Sequence, residues 1–147
     1  MNVSVSFGDQ SPIYQDARSI RQTVFVKEQG IDPDIEWDQL DGESYHFVAY
    51  LDQTPVATCC RLHLDANSSR AHLQRFAVKL EARQQSVGRA LLTQMEAWAK
   101  DQGIDYIYLS AQQSALPFYL KSNYRQSKEP AFIEAGILHQ NLYKSLT

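Results

Sequence analysis

Alternating apolar and polar residues predict strands in the first half of the chain. Valine alternates with polar residues over Asn2–Phe7, which is typical of a short strand. Two further apolar runs, at residues 45–51 and 56–64, lie on either side of a turn-forming sequence at 52–55, so they predict a β-hairpin. Another antiparallel strand is expected at residues 71–78.

The second run of the hairpin carries charged and apolar residues in alternation. Arg61 and His63 stand at odd positions of this run, whereas the apolar Val56 and Cys60 stand at even positions. Because successive side chains of a strand point to opposite faces, Arg61 and His63 are expected on a solvated face. By the same rule, Cys59 and Cys60 are expected on opposite faces and are not expected to pair with each other.

Apolar residues at helical spacing predict three helices. Ser11 and Pro12 supply an N-cap and a first helical residue, and the apolar spacing after them continues to Gly30. A second helix begins at about Val87 and ends at Gly103. The remaining expected elements are a buried strand, a short helix and a last strand, at residues 106–111, 115–122 and 138–146.

The order of these elements predicts the fold class. A meander of strands comes first, and a strand–helix–strand unit follows it. This order favours an α/β or α+β domain with a mixed central sheet and flanking helices. The chain has 147 residues, 44 % of them hydrophobic, and no segment with the composition of a linker, so we expect a single domain over residues 1–147.

Charge is distributed unevenly along the chain. The formal net charge is only −3, which argues against a general nucleic-acid binder because such proteins need clustered positive charge. From Glu28 to Cys60 there are eight acids and no Lys or Arg, which leaves 14 basic and 9 acidic residues elsewhere. A solvated loop is one interpretation of the acidic segment. The alternative is that residues 28–43 line an entrance that attracts a cationic amine.

Several classes of protein are disfavoured by simple features. The N-terminus lacks the pattern of a secretory signal, and no apolar run approaches the roughly 18 residues of a membrane span. With two cysteines and four scattered histidines, we expect a reduced cytoplasmic protein with no metal site. The acidic run is not a calcium-binding loop, since Trp37 stands where that loop needs its Gly.

The segment between the strand at 71–78 and the following helix is the richest in candidate chemistry. Its small residues lie at a helix N-terminus, where outward-pointing backbone N–H groups can bind an anion. The alternative is an ordinary helix start capped by Ser86. Between Arg75 and Arg89 there is one acid, Glu81, and there are four basic residues: Arg75, Lys79, Arg83 and Arg89.

Three motifs in this order resemble the GNAT superfamily of acyl-CoA-dependent N-acyltransferases. They are the strand end R-F-A-V at 75–78, the loop R-x-x-S-x-G at 83–88 and the segment F-Y-x-x-x-N-Y at 118–124. Further motifs resemble the bacterial ElaA/YjcF-like subgroup: V-F-V-x-E-Q at 24–29, Asp41, His46, A-Q at 111–112 and E-A-G-I-x-H at 134–139. Ser86 and Asn123 stand where glycines are usual, and Asn tolerates the positive φ that such a position requires.

The resemblance implies a coenzyme A thioester, acetyl-CoA, as co-substrate. The backbone of the strand end would pair with the pantetheine arm, through Phe76, Ala77 and Val78. The loop amides and two arginines would hold the pyrophosphate: Arg83, Gln84, Gln85, Ser86, Val87, Gly88 and Arg89. Gln112 would bind the pantetheine, or alternatively cap the next helix.

The resemblance also implies a direct attack of a neutral amine on the thioester. Tyr119 matches the family's general acid, which protonates the departing thiolate; the alternative is that its ring only packs the helix against the sheet. His72 is the candidate base, directly or through water, on a strand face that it is expected to share with Gln74, Phe76 and Val78. A surface or structural role is the alternative for His72. The rival candidates for the base or the substrate pocket are His46, Glu134 and His139.

The sequence thus predicts an N-acetyltransferase for a primary amine of a small molecule or peptide. A non-catalytic acyl-CoA-binding or sensing module is the main alternative, and a structural interaction domain is a third. No nucleic-acid or membrane partner is expected. Dimers are common in proteins of this kind, which leaves a homodimer open, and no residue specifies the amine.

Overall fold

In the computed structural model, eight strands form one sheet, and the predicted mixed character of that sheet is confirmed. The structure describes residues 1–147 except for the side chains of residues 56 and 57. The strands are Asn2–Phe7 (β1), Tyr45–Leu51 (β2), Thr54–Leu64 (β3), Arg70–Val78 (β4), Tyr106–Gln112 (β5), Arg125–Gln126 (β6), Phe132–Glu134 (β7) and Ile137–Ser145 (β8). Strands β6 and β7 were not predicted, since they are too short to show a period of two. The expected inward orientation of Val56 lies outside the described side chains.

The helices flank this sheet. The α-helices are Pro12–Arg21 (α1), Pro33–Glu36 (α2), Val87–Asp101 (α3) and Leu116–Lys121 (α4). A π-helix spans Gln22–Glu28, and 3₁₀ turns lie at Gln39–Glu43, Leu80–Ala82 and Gln113–Ala115. The two short helices inside the acidic segment were not predicted.

The sheet order is β1-β2-β3-β4-β5-β8-β6, with β7 also paired to β8. Strands β4 and β5 are parallel and are connected through α3, whereas the other pairs of described strands are antiparallel. This arrangement confirms the predicted antiparallel meander and the strand–helix–strand unit.

Each face of the sheet has its own apolar core. On one face Cys60 packs in a cluster with residues of α3 and α4, and on the other Cys59 packs in a cluster with residues of α1 and the π-helix. The prediction that the two cysteines lie on opposite faces is therefore confirmed. Both thiols are free and buried.

The first helix begins as predicted but changes type. The Ser11 hydroxyl accepts a hydrogen bond from the backbone N–H of Tyr14, and Pro12 is the first helical residue. The chain leaves α-helical geometry after Arg21 and continues as a π-helix, so one continuous α-helix up to Gly30 was wrong. The π-helix buries the adjacent Val24 and Phe25 against the sheet. Single π-turns inside helices are frequent at functional sites.

A buried ion-pair network holds the acidic segment against the sheet. Arg61 is 0 % exposed and binds Asp38 and Asp41 at 2.7 and 2.8 Å, so the predicted solvated position of Arg61 was wrong. Arg21 binds Asp41 and Glu36, each at 2.8 Å. The network as a whole consists of Arg21, Arg61, Arg75, Glu36, Asp38 and Asp41. Its three positive and three negative charges balance.

Asp41 is the point where the network joins the rest of the fold. Its carboxylate accepts a hydrogen bond from the Tyr14 hydroxyl at 2.8 Å, and its backbone carbonyl contacts Nε2 of His46 at 2.8 Å. Burial alone would raise the pKa of Asp41, but the charge and hydrogen bonds of Arg21, with a hydrogen bond from Arg61, lower it to about 2. The carboxylate is therefore ionised at neutral pH, and a solvated loop does not describe this part of the acidic segment.

Replacing Asn123 tests the left-handed residue that ends α4. Asn123 has φ 70°, as predicted. Alanine resists this conformation, so Asn123→Ala should lower the free energy of unfolding by about 1 kcal/mol, whereas Asn123→Gly should change it by less than about 0.5 kcal/mol. Urea denaturation measures both. Equal losses in the two variants would show that the backbone conformation is not what Asn123 contributes.

Replacing Arg61 tests the buried network. Arg61→Met leaves Asp38 and Asp41 short of a partner, and breaking a buried pair in this way costs about 3–5 kcal/mol of unfolding free energy. His63→Gln is the matched control on the same strand, since His63 is only half-buried and lies outside the network. We expect a change of less than about 1 kcal/mol for the control. Similar losses in both variants would contradict a special role for Arg61.

Candidate functional site

A cleft opens where β4 and β5 separate. The two strands are paired only from Arg70 with Tyr106 to His72 with Tyr108. Beyond these residues they diverge and enclose a cavity of about 750 Å³, with residues 73–78 on one wall and 109–112 on the other. Residues of the π-helix, α4 and the β7–β8 hairpin complete the lining. The strand edges facing the cavity therefore lack a strand partner, and backbone edges of this kind can bind an extended molecule.

A β-bulge in β4 accompanies this divergence. Arg61 pairs with Gln74, but Cys59 pairs with Ala77, so two residues of β4 lie opposite the single residue Cys60. Arg75, one of the two, has φ 55°. A bulge with a left-handed residue bends its strand and shifts the alternation of side chains.

The bulge overturns the prediction that four alternate residues share one face. Gln74 accepts a hydrogen bond from Arg61 on the α1 face of the sheet. Phe76 lies on the opposite face, where its ring is 5.4 Å from that of Phe118 and 6.2 Å from that of Tyr119. The common face for His72, Gln74, Phe76 and Val78 was wrong because one extra residue in β4 inverts the pattern after Arg75.

The loop before α3, predicted to bind an anion, contains two residues with a left-handed backbone. Gln84 and Ser86 each have φ 65°, and left-handed residues in such a loop turn neighbouring N–H groups toward a common concavity. Ser86 makes no side-chain capping hydrogen bond, so the interpretation of a Ser-capped helix start was wrong. A Cβ at Gly88 would lie 3.0 Å from Cγ2 of Val78, which places the first turn of α3 directly against the end of β4.

The two arginines of this loop have different surroundings. Arg83 lines the cavity, donates from Nε to the Val78 carbonyl at 2.9 Å and forms an ion pair with Glu28. Arg89 donates to the backbone carbonyl of Lys121 at 3.0 Å. Of these two arginines, both predicted to hold a pyrophosphate, only Arg83 lines the cavity.

Tyr119 presents a buried phenol to the cleft. It lies on α4, is 5 % exposed and lines the cavity. Its ring makes edge contacts with Phe118 and Tyr124, at centroid distances of 5.0 and 5.5 Å. Burial raises the pKa of Tyr119 well above its usual value, so the hydroxyl stays protonated at neutral pH and can act as a donor.

Three of the predicted candidates for the base or the substrate pocket also line the cavity. The ring of His72 stacks on that of Tyr108 at 4.5 Å, and burial lowers the pKa of His72 to about 4, so its imidazole is neutral at pH 7. His139 contacts the Ile137 carbonyl through Nδ1 at 2.7 Å, and its Nε2 lies 3.9 Å from a carboxylate oxygen of Glu134. The cleft therefore brings His72, His139 and Glu134 to one cavity.

His46 is the candidate that the structure does not bring to the cleft. It is fully buried on β2 and does not line the cavity. Burial lowers the pKa of His46, and its Nδ1 has no hydrogen-bond partner among the described side chains and backbone. Its place beside Asp41 ties it to the ion-pair network instead.

Gln112 has a partner that sequence reasoning missed. Its side chain does not cap the following helix. It forms a reciprocal amide pair with Gln29, in which Gln112 donates at 2.8 Å and Gln29 donates at 3.2 Å. The sequence singles out Gln29 only within the motif at 24–29, and no short-range pattern could reveal a contact between residues 83 positions apart.

The acidic segment contributes paired acids to the cleft. Glu36 and Asp38 line the cavity, but each is bound to an arginine of the network. Glu28 is likewise bound to Arg83. The segment thus lines part of the cavity with carboxylates that arginines pair, and the attraction of a cationic amine to residues 28–43 stays a prediction. Glu134, with a side chain 63 % exposed, is the more accessible acid at the rim.

No described helix is both long enough and apolar enough to cross a bilayer. No three His, Cys, Asp or Glu side chains among the described residues are grouped as metal ligands would be.

Comparison with known proteins identifies the family. A model of the acetyltransferase (GNAT) family matches residues 12–124. The chain is 36 % identical over 130 residues to the uncharacterized N-acetyltransferase YjcF of Bacillus subtilis (strain 168), covering 88 % of this chain and 91 % of that one.

Solved structures agree with this match. An acyl-CoA N-acyltransferase from Pseudomonas aeruginosa superposes with a TM-score of 0.81 at 25 % identity, over 97 % of this chain and 98 % of that one. ElaA of Escherichia coli superposes with a TM-score of 0.81 at 20 % identity, over the same shares of the two chains. The resemblance seen in the sequence motifs is confirmed: this chain belongs to the GNAT family of acetyltransferases.

Proposed function

We propose that this protein transfers an acetyl group from acetyl-CoA to a primary amine of a small molecule or peptide. Membership of the GNAT family supports acyl transfer in general. The observation that carries the proposal is the cleft between β4 and β5, which has a protonated phenol, Tyr119, on its wall. The amine attacks the thioester directly while both substrates are bound, and no covalent enzyme intermediate is needed.

The cofactor would lie along β4. The unpaired edge at Phe76, Ala77 and Val78 suits the two amide groups of a pantetheine arm, which can bind as an added strand. The loop at 84–89 and Arg83 would receive the pyrophosphate, since backbone N–H groups at a helix N-terminus and a guanidinium both favour phosphate. Gln112, on the opposite wall, can exchange its bond with Gln29 for one to the pantetheine.

Tyr119 would protonate the departing thiolate. A general acid must be protonated before the step, and the raised pKa of Tyr119 ensures this at neutral pH. The proton passes from the phenol oxygen to the sulfur as the C–S bond breaks. The amine has by then formed its C–N bond and lost a proton to the base.

His139 is better placed than His72 to take the proton from the amine. If Nδ1 of His139 donates to the Ile137 carbonyl, its Nε2 carries the free lone pair, and this nitrogen lies 3.9 Å from a carboxylate oxygen of Glu134 at the rim of the cavity. His72 has its pKa lowered to about 4 by burial, so it is a weaker base. His72 acting through water is the alternative assignment.

Turnover tests the proposed activity. Release of the coenzyme thiol from acetyl-CoA should be measured across a panel of small amines, amino acids and peptides. With any accepted amine, Tyr119→Phe should lower kcat about 100-fold or more and change the Kd of coenzyme A by less than about threefold. Tyr124→Phe is the matched control, because its hydroxyl binds Glu96 outside the cleft.

Turnover, acetyl-CoA binding and thermal stability together separate the proposed enzyme from the two alternative functions. A catalytically silent acyl-CoA-binding module would bind acetyl-CoA without turnover of any amine. A structural interaction domain would show no thermal shift, whereas a ligand at about 100 times its Kd adds about 2.7 kcal/mol of stability. Equal losses of kcat in the Tyr119 and Tyr124 variants would contradict the acid role of Tyr119.

The pH dependence of turnover and two variants test the base. Burial lowers the pKa of His72 to about 4, so with His72 as the base kcat should fall only as the pH approaches 4. His139→Gln should lower kcat at least tenfold at neutral pH, while His72→Gln should change it less than about threefold. The reverse result would assign the base to His72, and an unchanged kcat in both variants would favour a water chain.

A further inference from the structure

The end of the π-helix is tied to both walls of the cleft by side-chain pairs. Glu28 binds Arg83, which belongs to the loop after β4, and the neighbouring Gln29 binds Gln112 at the end of β5. All four residues line the cavity. Two consecutive residues thus span the separation that opens the site.

The Glu28–Arg83 pair has the geometry of an anion held by a guanidinium. Two nitrogens of Arg83 donate to the two carboxylate oxygens of Glu28, at 2.7 and 2.8 Å, while Nε donates to the Val78 carbonyl. A phosphate binds a guanidinium through the same pair of parallel hydrogen bonds. The Glu28 carboxylate therefore occupies the face of Arg83 that a phosphate would need.

The pair is also easily exchanged. The side chains of Arg83 and Glu28 are 35 % and 36 % exposed, in contrast to the buried arginines of the ion-pair network. Exposed ion pairs contribute little to stability, and water competes for their hydrogen bonds. The hydrogen bond from Arg83 lowers the pKa of Glu28, so the carboxylate is charged at neutral pH.

We propose that Glu28 competes with the cofactor phosphates for Arg83, so that cofactor binding detaches the π-helix from the loop. The inference rests on the proposed function, since it takes coenzyme A as the ligand of the loop. Glu28 thus weakens cofactor binding and couples it to the wall formed by Val24 and Phe25.

Calorimetric titration of Glu28→Gln with coenzyme A tests the competition. The variant should bind about two- to fivefold more tightly than the wild-type protein, the effect that an exposed ion pair has on an equilibrium. Its affinity for pantetheine, which carries no phosphate, should be unchanged. Glu81→Gln is the control for a general change of charge, because Glu81 lies in the same β4–α3 connection as Arg83. This control variant should shift the affinity for coenzyme A less than Glu28→Gln does.

A double-mutant cycle makes the test specific to Arg83. Arg83→Gln should weaken coenzyme A binding, and in that background Glu28→Gln should have no further effect. Unchanged or weaker binding by Glu28→Gln would overturn the competition. Tighter binding of pantetheine as well would overturn it too, because Glu28 would then act on the shape of the cleft. A wild-type protein that binds neither coenzyme A nor pantetheine would instead refute the proposed function.

Discussion

The left-handed conformation of Arg75 is the constraint on which the site depends. The bulge adds one residue to β4 in the stretch where β4 no longer pairs with β5. As a result, Phe76 faces α4 and the Arg75 guanidinium contacts the acidic segment. A non-glycine residue at positive φ is costly, and such conformations persist only where their surroundings enforce them. Here Glu36 and Asp38 bind the side chain on one face of the sheet, while Phe76 is fixed by aromatic rings on the other.

The buried ion-pair network explains how a chain of small net charge can carry so acidic a segment. Burying a charge costs hydration free energy, and apolar side chains in the same place would not incur that cost. We infer that the network fixes the position of the segment more than it adds to stability. Its arginines come from α1, β3 and β4, and its acids come from one segment of the chain. The acids therefore fasten that segment across three elements at once, and this positions Glu36 and Asp38 at the cleft.

Much of the fold could be predicted from local patterns, and the rest depended on long-range contacts. The period of the strands, the start of α1 at Ser11 and the left-handed Asn123 are properties of a few neighbouring residues. The burial of Arg61 was not predictable in this way, since it depends on acids 20 and 23 positions away. The bulge at Arg75 could not be predicted from the sequence, because a bulge is defined only by the register of two paired strands. The motifs located the cleft, but the contacts of Glu28 and Gln29 across it required the folded chain.

Gly88 has a consequence for how sequences of this fold are interpreted. A Cβ there would lie 3.0 Å from Cγ2 of Val78, a close contact that the valine side chain or the helix would have to relieve by a small shift. The spacing of helix and strand therefore favours a glycine whether or not a phosphate ever binds nearby. We therefore expect a glycine or another small residue at this position even in a sequence of this fold that binds no cofactor. A glycine in this loop is evidence for the architecture, and by itself it is not evidence for phosphate binding.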